Sequence, residues 1–304
     1  MPVWFDSDSE PPSANAAKSP HSVMSSSNAI RDLISNNLTI PTIPEIVMRI
    51  NTLLEDPDSG TAEIGAIVAE DAPLAAKVLR VANSAYYGLS GQCVSTAQAS
   101  TVLGVKVLKN IVTQVAVIKQ FDHLDEMGSF DVSALWEHAI NTAQVCAFMG
   151  RRASKAQDLT PDEYYVCGLL HDIGKIVMLD GLGKKYTTVY DTANHHQLPL
   201  HIVEQKQLGF NHTDVGAFVA ARWGLPDAVS DAIQFHHGPR EEIVKNPVVA
   251  LVANCNLIVH RVAAGQIAAA RAVLDAETTE FLGLRPTQVD EIVQYAADST
   301  QISI

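Results

Sequence analysis

Apolar residues recur along the chain at helical rather than strand spacing. Ile43, Ile46, Val47, Ile50, Leu53 and Leu54 form one stripe, Leu74, Ala75, Val78, Leu79 and Ala82 a second, and Val105, Leu108, Ile111, Val112, Val115 and Ile118 a third. Residues three, four and seven apart share one face of an α-helix, so each stripe predicts a helix with one buried side. Thr42 and Glu45 have the spacing of a capping box. Thr160-Pro161-Asp162-Glu163 combines a cap, a first-turn proline and a third-position acid. Gly224-Leu225-Pro226 stops one helix and opens another, and Pro286 opens the last, through Val289, Ile292, Val293 and Ala296. Alternating polar and apolar runs are scarce. The expected fold is all-α, a multi-helix bundle of about a dozen short helices.

The pattern begins near Ile30. Met1–Ser27 before it holds eight serines and four prolines, too little apolar surface to order itself, and reads as a flexible leader. The polar stretch His123–Asp131, with Gly128, predicts a break between a first helical lobe at 28–125 and a second at 129–265. Residues 266–304 read as a C-terminal helical extension.

Composition narrows the function. Lys and Arg total 21 against 34 Asp and Glu, a net charge of −13. Such a chain repels phosphate backbones, so nucleic acid is not an expected partner. Mean hydropathy is near zero, and the best apolar stretch, Val248–Val259, is short and contains Asn254 and Asn256, so no membrane span is expected. Cys93, Cys146, Cys167 and Cys255 are far apart and form no CxxC pair, which excludes a zinc ribbon and a disulfide scaffold. Reduced core thiols and a cytoplasmic location follow.

Candidate chemistry lies in His138, His171, Asp172, His212, His236 and His237. Each sits in or beside an apolar helical run, where an imidazole or a carboxylate needs a partner. A divalent cation satisfies both groups, and imidazoles with a carboxylate suit iron, manganese or zinc. Lys175 follows His171 by four residues and Asp172 by three, so on a continuous helix all three share a face. A lysine there is placed to hold a phosphate oxygen, and Gly174 would admit a close approach. Each residue also has a structural alternative. His138 also reads as a hydrogen-bonded core or surface residue, the commoner case for a lone histidine on an amphipathic helix, His212 as part of a cap after Asn211, and His236-His237 as a helix end. His195, His196 and His201 lie in a polar stretch and read as solvated. Tyr86 and Tyr87, after Asn83-Ser84, read as a packed turn or as a recognition edge.

Several separated motifs resemble one family. Asn83-Ser84-Ala85-Tyr86-Tyr87-Gly88, Ser95 to Ala99 and Val102-Leu103-Gly104 resemble the first-lobe signature of the HDOD (HD-related output domain) family. Leu169-Leu170-His171-Asp172-Ile173-Gly174-Lys175 resembles the HD motif of the wider HD phosphohydrolase superfamily. Glu204, Leu208-Gly209, His212, Val215-Gly216-Ala217, Trp223-Gly224-Leu225-Pro226 and Phe235-His236-His237 continue the HDOD pattern, which spans about Leu38 to Val259. The resemblance implies an HD-like bundle preceded by a smaller helical lobe, and a role in bacterial signalling. It implies His138, His171, Asp172, His212, His236 and His237 as metal ligands, with Asp172 and Lys175 the catalytic pair if the site is active.

Two departures bear on activity. The superfamily closes its set with a later aspartate, and Asn254 stands at the matching position, so one metal per chain is expected. The cyclic-di-GMP-hydrolysing branch carries a Gly-Tyr-Pro loop after its paired histidines, whereas His237 is followed here by Gly238-Pro239-Arg240-Glu241. The reading is a non-catalytic or weakly catalytic regulatory module with a retained metal pocket, a signalling protein partner, and a nucleotide or other phosphate-bearing ligand as a further candidate. No sensory domain is evident in the chain, so its input is expected from a separate protein or from the leader. The alternative is a metal-dependent phosphohydrolase acting on a nucleotide or phosphodiester.

Overall fold

The computed structural model describes residue 32 and residues 34–55, 61–83, 90–124 and 129–299. The leader, residues 84–89 with Tyr86 and Tyr87, and Gly128 lie outside the described residues. Seventeen α-helices and one 3-10 helix are bounded within them, with no strand among the described residues. The helix number exceeds the expected dozen because Pro, Gly and Asx caps cut the second half of the chain into segments of one to three turns.

Five helices form a first layer: α1 (Glu45–Glu55), α2 (Thr61–Ala69), α3 (Ala72–Ala82), α4 (Thr96–Leu103) and α5 (Val105–Gln120). Their apolar stripes meet in one buried cluster containing Ile50, Ile64, Val68, Leu74, Val78, Leu108, Ile111 and Val112. α1 begins at Glu45, so Thr42 lies outside the helix and does not form the expected box. Asp71 caps α3 and Ser95 caps α4 through their side chains.

A larger cluster fills most of the rest, with a small third one around Val189, Ala193 and Val203. At its centre are α6 (Val132–Gly150), α7 (Pro161–Leu170), α8 (Ile173–Leu182), α11 (His212–Arg222), α12 (Asp227–Phe235) and α14 (Pro247–Ala263). Thr160 and Glu163 form the expected capping box of α7. Pro226 and Pro286 stand at the helix starts read from the sequence. α9 (Lys184–His196) and α10 (Leu200–Leu208) cover one flank, α13 (Arg240–Ile243) bridges α12 to α14, and α15 (Ile267–Val273), α16 (Ala276–Leu282) and α17 (Pro286–Ser299) pack on the outside.

Two glycines set the crossings that build the site. A Cβ on Gly168 of α7 would lie 2.6 Å from Ala143 Cα, so α6 and α7 touch backbone to backbone. A Cβ on Gly174 of α8 would overlap His212 O and lie 2.8 Å from Gly216 N of α11. Only residues without a side chain permit these approaches.

Candidate metal centre

Four helix ends and one helix face converge on a single buried point. His171 and Asp172 lie in the break between α7 and α8, not on one continuous helix as their spacing to Lys175 suggested. The break turns the Asp172 carboxylate inward, where it is almost wholly buried. His138 reaches it from α6, His212 from the first turn of α11, and His236 and His237 from the end of α12.

The donor atoms form two groups that share Asp172. His212, His236 and His237 gather with Asp172 in one, and His138 and His171 in the other, with the donor atoms of each group within 4.8 Å of one another. The first group faces Oδ1, which is 3.4 Å from His212 Nε2 and 3.6 Å from His236 Nε2. The second faces Oδ2, at 3.2 Å from His171 Nε2 and 3.8 Å from His138 Nε2. His138 Nε2 and His171 Nε2 are 3.3 Å apart. A tetrahedral cation with bonds of about 2.1 Å separates its ligands by about 3.4 Å. These spacings therefore suit donors around an ion.

Hydrogen bonding points the same way. His171 Nδ1 lies 2.7 Å from Gly168 O, and His236 Nδ1 lies 2.8 Å from Ile233 O. A carbonyl only accepts, so both rings carry the proton on Nδ1 and aim a bare Nε2 inward. His212 Nδ1 meets Glu204 Oε2 at 2.6 Å, and Glu204 also accepts from the Tyr186 hydroxyl at 2.6 Å and the His212 backbone N–H at 2.9 Å. Imidazoles that hold a metal are oriented by such outer acceptors. Asp172 Oδ1, His212 Nε2 and His236 Nε2 are buried and have no hydrogen-bond partner. Buried polar atoms without partners are costly, and a cation between them would satisfy all three.

The electrostatics favour an uncharged imidazole set. Burial drives His138 and His237 well below the usual imidazole range and His236 down to about 4. Burial alone would raise the Asp172 carboxyl, but His171 and Lys175 outweigh it and hold it well below the ordinary carboxylate range. Glu204 is likewise held down, against its burial, by His212. Lys175, itself buried, places Nζ 2.6 Å from Asp172 Oδ2.

A cleft opens above the centre, lined by Lys175, Tyr190, Asn194, His201, His212 and His260 among others. Two of these histidines escaped the sequence reading. His260 stacks on His138 with ring centres 4.1 Å apart, and His201 stacks on His237 at 4.4 Å. His260 lies on α14, far along the chain from His138, so no local spacing signals it. His201 was set aside because its neighbours are polar. His195 and His196 are exposed at the end of α9.

Asn254 does not take the place expected of it. Its amide donates to Ala250 O at 2.6 Å on its own helix. It also lies about 120° around α14 from His260 at 100° per residue. Asn256, one turn before His260, shares that residue's face, is fully buried, and has an Oδ1 without a partner.

The comparisons with known proteins fit this architecture. The HDOD domain model matches residues 40–239. The chain belongs to the HDOD domain family. An uncharacterized protein of Treponema pallidum (strain Nichols) is 27% identical over 221 residues, covering 72% of this chain. The chain spans only 42% of that relative's length. A candidate phosphohydrolase from Shewanella amazonensis SB2B superposes with a TM-score of 0.71 at 20% identity, over 91% of this chain and 98% of its own. A candidate signal transduction protein from Marinobacter aquaeolei VT8 does so at 0.69 and 24%, over 90% of this chain and 65% of its own. At those identities the structures establish the HD-like all-α fold of this HDOD chain and nothing finer. No helix among the described residues is long and apolar enough to cross a membrane.

Proposed function

We propose that this HDOD protein is a signalling module that holds one divalent transition metal between Asp172, His212, His236 and His237. A phosphate-bearing ligand or a partner protein would meet the metal through the cleft above. Lys175 carries the reading. Its ammonium lies on Asp172 Oδ2 at 2.6 Å, where a second cation would need the same oxygen. Asp172 is the only carboxylate in either donor group among the described residues. Two dications and a lysine against one carboxylate would leave a large uncompensated buried charge. One dication, with Glu204 behind His212, leaves a far smaller one.

A bound cation supplies Lewis acidity toward a phosphate oxygen. The chain's own residues do the rest. Glu204 orients His212, the Gly168 and Ile233 carbonyls orient His171 and His236, and Lys175 is at hand to neutralise a phosphate. The names of the Marinobacter and Shewanella structures accord with signalling and with phosphate chemistry respectively.

The second reading is a two-metal phosphohydrolase, favoured by the 3.3 Å spacing of His138 and His171 beside a shared carboxylate. Metal per chain by elemental analysis, with turnover of bis(p-nitrophenyl) phosphate, separates the two. The module reading expects one ion and negligible turnover. Two ions with rapid turnover would overturn it in favour of the enzyme.

A further inference from the structure

The two lobes leave a second cleft between them, remote from the histidines in composition and built for a different ligand. It is lined by Val107 and Asn110 of α5, Ala147, Phe148 and Arg151 of α6 and its end, Asp162 and Tyr165 of α7, and Tyr295 of α17. Its volume is about 340 Å³, at the lower end of the range of small-ligand sites.

Three features define what fits. The first is an aromatic platform. Phe148 and Tyr295 stack at 4.0 Å with their planes 7° apart, and the Arg152 guanidinium lies 3.4 Å from the Phe148 ring centre. Both neighbours are in stacking contact, so they occupy opposite faces of Phe148. Arg152 is anchored by Glu291 at 3.0 Å and by Phe148 O at 3.1 Å, which makes the stack rigid. The second feature is a pair of unmatched charges. Among the described residues the Arg151 guanidinium and the Asp162 carboxylate form no ion pair with each other or with any other group. The third is a fixed amide. Asn110 donates to Asp162 O at 3.2 Å, which holds its carboxamide at the cleft wall.

A ligand complementary to this set has a planar ring with N–H donors for Asp162, polar edges for Asn110, and an anionic group for Arg151. We infer that the interlobe cleft binds a purine nucleoside monophosphate, its base against the Tyr165–Tyr295 side and its phosphate on Arg151. The base offers donors and acceptors on its edges and a π-face for stacking. An arginine is the side chain best shaped for a phosphate. The walls belong to both lobes, so occupancy joins α5 to α6, α7 and α17. That is an input site separate from the metal centre, and it does not depend on whether the centre is catalytic.

Calorimetric titration of the full chain with GMP tests this, with guanosine and ribose 5-phosphate as half-ligands. GMP is expected to bind at least tenfold more tightly than either half. Arg151→Gln, an exposed position, is expected to weaken GMP about tenfold, as one charge-assisted contact does, and to leave guanosine unchanged. His236→Ala, at the metal centre, is expected to bind GMP as the parent does. The inference fails if GMP does not bind, if Arg151→Gln binds it like the parent, or if His236→Ala abolishes binding, since the last would place the nucleotide at the metal centre.

Discussion

Glu204 has no solvent-exposed surface, and the orientation of His212 depends on it. Its two oxygens accept from three donors, the His212 ring, the His212 backbone N–H and the Tyr186 hydroxyl. Glu204→Gln puts an amide donor against at least one of them and removes the charge that fixes the ring's proton on Nδ1. Metal affinity is expected to fall about 10- to 100-fold, measured by competition with a calibrated chelator; an unchanged affinity would show that His212 is not a ligand. The same residues set the acid response of metal-free protein. A denatured histidine takes its proton near pH 6.5, whereas native His236 waits until about 4, with His138 and His237 also depressed. The unfolded chain therefore binds more protons below pH 6.5, and stability is full above that value and lost on the way down to 4. His236 alone accounts for about 3 kcal/mol at about 1.4 kcal/mol per unit. Asp172 and Glu204 are depressed too, so their contribution persists to lower pH and does not shape this window. Melting temperature in the presence of EDTA is expected to drop steeply between pH 7 and 4.5. A flat profile would mean that the imidazoles are accessible to solvent.

At the scale of elements, the close crossing of α8 and α11 brings Asp172 within 3.4 Å of His212. Gly174→Ala would drive a methyl group into the His212 carbonyl and the Gly216 amide. Because both are backbone, the helices must part, at a cost of about 1–3 kcal/mol or more. The expected result is a lower melting temperature together with weakened metal binding. A loss of stability alone would show that the donors adapt to the shift. Much of this layer was legible in the sequence, because caps and prolines are local. Thr160-Glu163, Pro226 and Pro286 each stand where their chemistry placed them. The interruption at His171-Asp172 was not legible, since apolar residues run through it from Leu169 to Ile176 and mask the broken helix. Asn254 was misplaced for a related reason. Alignment to a motif fixes a position in sequence, but the face it occupies depends on how α14 packs. Asn254→Asp is accordingly expected to leave metal content unchanged, since position 254 lies about 120° around α14 from His260; a rise measured by elemental analysis would restore it to the site.

For the whole molecule, the six histidine and aspartate positions read from the sequence come together, while the cleft walls supplied by His201 and His260 emerge only from packing between distant helices. Every donor lies between residues 138 and 237, from α6 to just past α12, and none lies on the described residues of α1 to α5. The helices share two large apolar clusters, with Ile111 fully buried in one and Leu251 in the other. α5 contributes to both, its Ile111 to one and its Val117 to the other, and Ile34 and Leu38, ahead of α1, join the larger one. This division predicts that damage stays local. Ile111→Ala and Leu251→Ala each remove comparable buried volume, at a cost of about 2–5 kcal/mol. In Ile111→Ala, hydrogen exchange is expected to quicken across α1 to α5 while the metal dissociation constant stays within about twofold of the parent. In Leu251→Ala the exchange of α6, α7 and α14 is expected to quicken, and metal binding to weaken with it, because α14 packs on both helices that frame His138 and His171. Equal loss of metal in the two variants would mean that the lobes unfold as one cooperative unit despite their separate cores. A ligand bridging α5 to α6 and α7 would then find no independent lobes to couple.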